Sequence, residues 1–185
     1  MLRYLKSSPA QGLIYKASND LCLTGYCDSD WAACPDTRRS ISGYCTYLGD
    51  SLITWRSKKQ GTVSRSSSEA EYRSIAHLVC EMQWMSELFK ELDVKVPLPM
   101  VVYCDNKSTM YIAETPVFHE RTKHIEIDCH VTRERIKSGM IKLKHIGTND
   151  QPADVFTKAL HRTRLHMLLG KLGVYNIYSP TCGRV

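Results

Sequence analysis

No apolar run of about 18 residues occurs in the sequence, so it predicts no transmembrane helix. The first residues, 1–6, lack the continuous apolar segment of a signal peptide. Internal repeats and low-complexity segments are also absent. A chain of 185 residues with this composition is expected to form one compact domain with a short appendage, and it is long enough to fold without covalent crosslinks.

Eight cysteines are present, yet no two of them form a Cys-x-x-Cys pair. Cys27, Cys45 and Cys104 lie in strand-like segments, where a free thiol behaves as a small apolar side chain. We therefore expect free thiols and a reducing compartment. The cytoplasm is the predicted location, the nucleus stays open, and secretion is not expected.

A buried strand that ends in a carboxylate is the centre of the functional prediction. Residues 101–104 are mostly apolar without polar alternation, which is typical of a fully buried strand, and Asp105 follows directly. Asn106 can then cap a helix. A carboxylate is costly to bury without a partner, and open α/β sheets bind ligands at the carboxyl ends of their strands. The pattern predicts a functional site around Asp105.

Three strands without an intervening helix are predicted before this point, over residues 23–28, 41–48 and 51–55. Short turns between strands indicate an antiparallel meander. The first strand ends in Asp28, as the buried strand ends in Asp105. Asp30 is a competing acid, but it lies beyond the strand in a predicted loop.

The clearest helix begins at residues 66–68, where two spacings match a capping box: Ser66 with Glu69, and Ser68 with Glu71. Apolar residues then recur at steps of three and four and mark a buried face. They are Ile75, Leu78, Met82, Met85 and Phe89. Glu71 falls on the first turn of that face, where a carboxylate needs a functional reason. A capping role for Glu71 and a ligand role for Glu69 are the alternatives.

The second half predicts short helices over 106–113 and 122–137, a last strand over 140–146 and a long helix over 153–172. Asp154 lies in the first turn of that long helix, where it could also serve only to complement the helix dipole. The order of elements indicates one α+β domain with mixed α/β character.

Asp28, Glu71, Asp105 and Asp154 share one description, because each ends a strand or opens a helix beside the sheet. If they converge, two carboxylates about 4 Å apart at an effective dielectric near 20 repel by on the order of 4 kcal/mol. Divalent cations would make such a cluster tolerable, and oxygen ligands favour Mg²⁺ or Mn²⁺. The residues themselves therefore suggest metal-assisted phosphodiester hydrolysis.

Seven segments resemble the ribonuclease H domain of copia-type LTR retrotransposon polyproteins. They are residues 26–32, 37–44, 55–60, 66–72, 103–106, 121–125 and 151–158. The resemblance runs in order from about residue 20 to 173, and residues 3–6 resemble the end of the preceding reverse transcriptase portion. It implies three parts: 1–19 as a residual tail of the reverse transcriptase connection region, 20–173 as the ribonuclease H domain, and 174–185 as an irregular tail.

The resemblance also implies the ribonuclease H fold, a five-stranded mixed sheet with helices on both faces. It implies an endonuclease that uses two Mg²⁺ ions, or Mn²⁺, to hydrolyse the RNA strand of RNA–DNA hybrids during reverse transcription. The products would carry 3′-OH and 5′-phosphate ends. By similarity the metal ligands are Asp28, Glu71, Asp105 and Asp154. His145 is the nearest candidate for a histidine that assists the leaving group, although its surroundings depart from the pattern of the cellular enzymes.

A net charge of +6 favours a polyanionic partner, although a solvated surface fits nearly as well. Basic residues beside a phosphodiesterase site are expected to contact the nucleic acid backbone. The predicted nucleic-acid-binding residues are Arg38, Arg39, Lys58, Lys59, Arg65, Ser67 and Asn106. The expected partners are an RNA–DNA hybrid and the reverse transcriptase domain, the chain is expected to be a monomer, and no membrane partner is expected.

Two other functions stay open. The fold could serve as a host-recruited, non-catalytic module that binds nucleic acid or a protein, but retention of four mutually repelling acids argues against it. It could also be a nuclease that acts on DNA junctions, which the specific motifs argue against. A zinc site at His119, His124 and His130 is not expected, because their spacing fits no common zinc pattern and no cysteine pair accompanies them.

Overall fold

The computed structural model describes residues 6, 10–17, 20–115, 126–176 and 178. The strands within these residues are β1 (Gln11–Leu13), β2 (Leu23–Asp30), β3 (Ile41–Leu48), β4 (Ser51–Lys59), β5 (Met100–Cys104), β6 (Ile141–His145) and β7 (Val174–Asn176). The helices are α1 (Ser67–Glu91), α2 (Lys107–Glu114), α3 (Glu126–Lys137) and α4 (Arg162–Lys171). Two 3₁₀ segments, Thr148–Asp150 and Pro152–Phe156, lie between β6 and α4. None of the helices in this part of the chain has both the length and the apolar character that crossing a membrane requires.

The main sheet has five strands in the order β4-β3-β2-β5-β6. Strands β2, β3 and β4 are antiparallel neighbours, as their short connections require. Strand β5 pairs parallel to β2, and β6 pairs parallel to β5. Parallel neighbours need a crossover connection, and helices provide it between β4 and β5 and between β5 and β6. The predicted α+β fold with a five-stranded mixed sheet is confirmed.

Both faces of this sheet are covered. On one face α1 packs so closely that a Cβ added to Gly25 would lie 2.8 Å from Leu78 Cδ1. On the other face Cys45 and Tyr47 form a buried cluster with Leu172, which follows α4. Successive strand residues point to opposite faces, so β2 and β3 contribute to both cores. Helices on both faces, as predicted, are therefore present.

Helix α1 has the predicted buried face and a resolved cap. The backbone N–H of Glu69 donates to Ser66 Oγ at 3.2 Å, and Glu69 Oε2 accepts from the backbone N–H of Arg65 at 2.8 Å. The Ser66–Glu69 pair thus provides the cap, and Glu71 takes no part in it. Four of the predicted core positions are buried and Phe89 is half-buried.

The single long helix predicted over 153–172 is wrong. The 3₁₀ segment Pro152–Phe156 is followed by Thr157 as its C-cap, and α4 starts only at Arg162. Between them, the side chains of Thr157 and Lys158 turn to the Asp28 carboxylate on β2. Pairing a buried charge outweighs continued helical hydrogen bonding in this stretch.

Other predicted elements differ only at their ends. The cap of α2 is Asn106, as expected, and the last strand is one residue shorter at each end than predicted. Strand β2 continues beyond Asp28 to Asp30. Helix α3 is described from Glu126, and the earlier part of the predicted 122–137 helix lies outside the described residues.

A separate two-stranded sheet joins β1 to β7 in antiparallel fashion. Leu13 and Val174 pack against the buried cluster on the α4 face, and the Ile14 N–H donates to Gly173 O at 2.9 Å. The chain from residue 174, expected to be irregular, therefore begins with a short strand. The predicted domain boundaries themselves stay predictions.

Candidate active site

Strands β2 and β5 place two acids at the same end of the sheet. Asp28 is fully buried on β2, and its backbone oxygen accepts a hydrogen bond from Ser74 Oγ of α1 at 2.7 Å. Asp105 directly follows β5 and is half-buried, and its Oδ2 accepts from Thr148 Oγ1 at 3.0 Å. The parallel pairing of the two strands brings their carboxyl ends together.

Glu71 reaches this end of the sheet from the first part of α1. Only 7% of Glu71 is exposed, and its Oε1 accepts from the backbone N–H of Ser29 at 3.3 Å. Its Oε2 is buried and has no hydrogen-bond partner among the described residues. Potential ligand atoms of Glu71, Cys104 and Asp105 lie within 4.8 Å of one another. These residues form an acidic group that could hold a cation.

The electrostatics of Glu71 reflect this crowding. Burial, followed by the charges of Asp28, Cys104 and Asp105, raises the pKa of Glu71 to about 10. The carboxyl group therefore favours its protonated form unless a cation compensates it.

Asp154 is held beside Asp28 by a buried glutamine. Gln151 is fully buried, donates from Nε2 to the backbone oxygen of Cys27 at 2.9 Å and accepts at Oε1 from the Ala153 N–H. These bonds fasten the 3₁₀ segment Pro152–Phe156 to β2. Asp154 is fully buried within this segment. It therefore lies on a 3₁₀ helix and not, as predicted, on the first turn of a long α-helix.

Basic side chains neutralise the negative charge of the Asp28 and Asp154 carboxylates. Lys158 Nζ lies 3.0 Å from Asp28 Oδ1 and 2.7 Å from Asp154 Oδ1. Thr157 donates to the other oxygen of Asp28, and Arg164 to the other oxygen of Asp154. Burial would lower the pKa of Lys158, but the negative charge of Asp28 and contacts with both carboxylates raise it overall. Burial raises the pKa of Asp154, against the opposing effect of Lys158.

The four predicted acids thus lie at one end of the sheet, in two groups. Glu71 and Asp105 form one group, and Asp28 and Asp154 form the other. His145, at the end of β6, is exposed and places Nε2 3.2 Å from the Asp105 backbone oxygen. It lies beside the first group, and its catalytic role stays a prediction.

The competing residues lie in other arrangements. Glu69 is occupied by the α1 cap and by an ion pair with Arg73 at 2.8 Å. Asp30 ends β2 two residues beyond Asp28, and burial raises its pKa. Of the three histidines considered for zinc, His130 pairs with Glu134 on α3, while the other two, at 119 and 124, lie outside the described residues.

Sequence reasoning missed the residues that support the acids. Lys158 had a usable signal, since it follows Asp154 by four residues inside the segment 151–158, a spacing at which side chains meet on a helix. Gln151 lies in the same segment, but nothing in its spacing indicates a partner on β2. Arg164 had no signal, because a lone polar residue does not reveal a partner far along the chain. Gln60 is similar: its buried amide donates to Ser42 Oγ and the Ala70 backbone oxygen and so fixes the entry to α1.

Most of the predicted nucleic-acid-binding residues are exposed. Arg38, Lys58, Lys59, Arg65 and Ser67 are exposed, and Arg39 and Asn106 are half-buried. The Asn106 side-chain oxygen accepts from the Thr109 N–H as the cap of α2. The side-chain NH₂ of Asn106 is therefore the part that could donate to a ligand.

Lys58 also lines a cavity between the β3–β4 edge of the sheet and α1. Arg56 and His77 line the same cavity. In the register of the sheet, Lys58 lies opposite Ser42, which in turn lies opposite Ser29, the residue after Asp28. A basic surface therefore begins next to the acidic site.

Curated relatives match almost the whole chain. It is 46% identical over 177 residues to the retrovirus-related Pol polyprotein from transposon RE1 of Arabidopsis thaliana, which covers 96% of the chain. It is 44% identical over its full length to the corresponding polyprotein from transposon RE2 of the same plant, and 34% identical over 176 residues to that from transposon TNT 1-94 of Nicotiana tabacum. The chain spans only 12–13% of these polyproteins. No protein-family model matches.

Solved structures with a similar fold are ribonuclease H domains. An N-terminal RNase H domain from Mycobacterium tuberculosis superimposes with a TM-score of 0.54 at 11% identity, covering 81% of this chain and 97% of that one. LC11-RNase H1 in complex with an RNA/DNA hybrid gives a TM-score of 0.53 at 15% identity, covering 73% of this chain and 93% of that one. At these identities the likeness establishes the fold.

Proposed function

We propose that this chain, which belongs to the copia-type Pol polyproteins and has the ribonuclease H fold, is a nuclease module. Its proposed activity is cleavage of the RNA strand of RNA–DNA hybrids during reverse transcription. One observation carries the proposal. Asp28, Glu71, Asp105 and Asp154, which the motifs single out, all lie at one end of the sheet beside an exposed basic surface.

The donor set fits divalent cations. Glu71 has a buried carboxylate oxygen with no hydrogen-bond partner among the described residues, and Asp105 lies within reach of it. Carboxylate oxygens are the donors that Mg²⁺ and Mn²⁺ prefer. Cys104 Sγ is the exception in this group, because a thiol is a soft ligand and suits neither Mg²⁺ nor Mn²⁺ as well as the carboxylates do. We propose that Glu71, Asp105, Asp28 and Asp154 hold two such ions.

The side chains of this chain have separate tasks in the proposed reaction. When bound, two divalent ions supply activation of water and stabilisation of the leaving oxygen, which gives 3′-OH and 5′-phosphate ends. The Ser29 N–H and the Thr148 hydroxyl orient Glu71 and Asp105. Gln151 holds Asp154 beside Asp28. The exposed His145, whose Nε2 lies 3.2 Å from the Asp105 backbone oxygen, is proposed to move a proton to the leaving group.

The proposed substrate follows from the same surface. The exposed Lys58, Lys59 and Arg65 are proposed to contact phosphates, which provide affinity without sequence preference. One structural neighbour was solved with an RNA/DNA hybrid, and the relatives are polyproteins, which supports a hybrid and a reverse transcriptase domain as partners. We propose that the chain acts as a monomer in the cytoplasm or nucleus.

Cleavage of an end-labelled RNA–DNA hybrid tests the proposal. With Mg²⁺ or Mn²⁺ the wild-type chain is expected to cut only the RNA strand, and a chelator is expected to stop it. Asp105→Asn is expected to lower the rate by at least about a hundredfold, since it removes a charged ligand of the proposed site. Asp50→Asn, in the exposed turn between β3 and β4, is the matched control and should leave cleavage unchanged.

Two outcomes would contradict the proposal. Hybrid binding without cleavage under any metal would indicate a non-catalytic module, and cleavage of DNA strands would indicate a different nuclease. Circular dichroism of both variants shows whether a lost activity reflects lost folding.

A further inference from the structure

Asp28, Glu71, Asp105 and Asp154 form an acidic cluster with two halves, Asp28–Asp154 and Glu71–Asp105. The halves differ in how their negative charge is neutralised. In the Asp28–Asp154 pair, every carboxylate oxygen has a hydrogen-bond donor from Thr157, Lys158 or Arg164. The carboxylates are 1% and 0% exposed, so solvent contributes little to their stabilisation. This half of the cluster carries its own positive charge.

The other half, Glu71 and Asp105, lacks direct ion pairs with basic side chains in the part of the chain that the structure describes. Glu71 Oε2 is buried without a partner, and Asp105 accepts from the neutral hydroxyl of Thr148. A cation approaching the cluster therefore finds an open place at Glu71 and Asp105.

We infer that Lys158 acts as a built-in cation, so that a first divalent ion binds at Glu71 and Asp105 and a second binds at Asp28 and Asp154 only when the Lys158 ammonium moves away. The inference rests on the proposed metal-dependent function and adds an order of binding to it. Lys158 is then a positioning residue, which controls access to two of the proposed ligands.

The two basic residues of this half are not equally free to move. Lys158 and Arg164 are about equally exposed, at 31% and 32%, so exposure does not separate them. Lys158 has a flexible four-carbon stem, and its ammonium can turn to solvent or to a substrate phosphate. Arg164 is also tied to the Thr148 backbone oxygen at 2.7 Å, while the Thr148 side chain contacts Asp105. Arg164 thus stays as a link between the two halves while Lys158 leaves.

Counting Mn²⁺ ions on the substrate-free chain tests this inference. Electron paramagnetic resonance and isothermal titration calorimetry should find one ion on the wild-type chain at concentrations where Lys158→Met binds two. Removing one positive charge in contact with both carboxylates should strengthen the second site by more than about tenfold. Lys158→Arg keeps the charge and should retain the single-ion result.

Lys171→Met is the matched control. Lys171 also pairs with an aspartate, Asp150, and has similar exposure, but it is not part of the acidic cluster. This variant should bind one ion, as the wild type does. Equal ion counts and affinities in the wild type, Lys158→Met and Lys171→Met would overturn the inference.

Thermal unfolding gives a second measurement that does not depend on activity. In chelator, Lys158→Met should have a lower Tm than the wild type, because two buried carboxylates lose a shared partner. Addition of Mn²⁺ should raise its Tm more than that of the wild type, and a variant that folds only with Mn²⁺ would support the inference most strongly. A wild-type chain that binds no divalent ion would overturn the proposed function as well, whereas two ions on the unmodified chain would overturn only the order of binding.

Discussion

Burial of charge determines the properties of individual residues in this protein. Glu71 and Asp154 are both buried acids at the end of the sheet. Within the described residues Glu71 has no basic partner in an ion pair, whereas Asp154 contacts two basic side chains. Desolvation disfavours the ionised form of both, and only nearby cations restore it. The difference between these two carboxylates is therefore a difference in their neighbours.

The raised pKa of Glu71 predicts a pH dependence of stability in chelator. Its pKa in the folded chain is about 10, above its ordinary value of 4.5, so folding favours the protonated group. The resulting stabilisation is fully present below about pH 4.5 and is lost as the pH rises toward the folded pKa. Urea unfolding should therefore show a free energy of unfolding that falls between pH 5 and pH 8 more steeply in the wild type than in Glu71→Gln.

Glu91→Gln, at the exposed end of α1, is the control for this measurement and should follow the wild type. Identical pH dependence in Glu71→Gln and the wild type would show that Glu71 ionises freely in the folded chain.

Among the elements, the 3₁₀ segment Pro152–Phe156 packs very closely against the sheet. It crosses the sheet at Gly43 of β3, where an added Cβ would lie 2.6 Å from Thr157 Cγ2, 2.8 Å from Phe156 Cβ and 3.2 Å from the Ala153 backbone oxygen. Glycine at this position lets the segment approach close enough to place Asp154 beside Asp28.

Gly43→Ala should therefore displace this segment. We expect a loss of about 1–3 kcal/mol in the free energy of unfolding, which is typical of overpacking, together with weaker Mn²⁺ binding. Gly61→Ala is the control, because a Cβ there would meet no atom within 4 Å. Thermal unfolding and Mn²⁺ titration of both variants test the prediction, and unchanged metal binding in Gly43→Ala would contradict it.

At the scale of the whole molecule, the arrangement of charge matters more than its sum. The net charge of +6 is modest, but Lys58 and Lys59 lie on β4 close to an end of the sheet that is rich in carboxylates. Such a surface can attract a nucleic acid backbone while the acids stay reserved for cations.

Hybrid binding should accordingly depend on salt through these lysines. In an Asp105→Asn background that keeps the hybrid intact, Lys58→Ala combined with Lys59→Ala should weaken binding. It should also reduce the magnitude of the negative slope of log affinity against log salt by roughly 1.4–1.8, since each of the two lost phosphate contacts contributes about 0.7–0.9. Fluorescence anisotropy across a salt series measures the slope.

Lys90→Ala combined with Lys95→Ala removes the same charge from the exposed region around the far end of α1 and should change the slope little. Equal slopes for the two double variants would mean that hybrid binding responds only to net charge.

Local patterns in the chain were sufficient to predict the main strands in chain order, the buried face of α1 and the placing of each acid where a strand ends or a helix begins. These features depend on residues one to four positions apart, through side-chain periodicity and helix capping. Asn106 as the cap of α2 and the Ser66–Glu69 cap of α1 belong to this class. The convergence of the four acids was implied only by the resemblance to ribonuclease H domains.

Contacts between distant segments were beyond the reach of such patterns. Lys158 meets Asp28 across 130 residues and Gln151 meets Cys27 across 124, and these contacts interrupt the helix that the local spacing favours. The pairing of β1 with β7 likewise joins opposite ends of the chain. Packing decides these features, because the cost of a buried charge or an unpaired strand depends on which groups the fold brings alongside it.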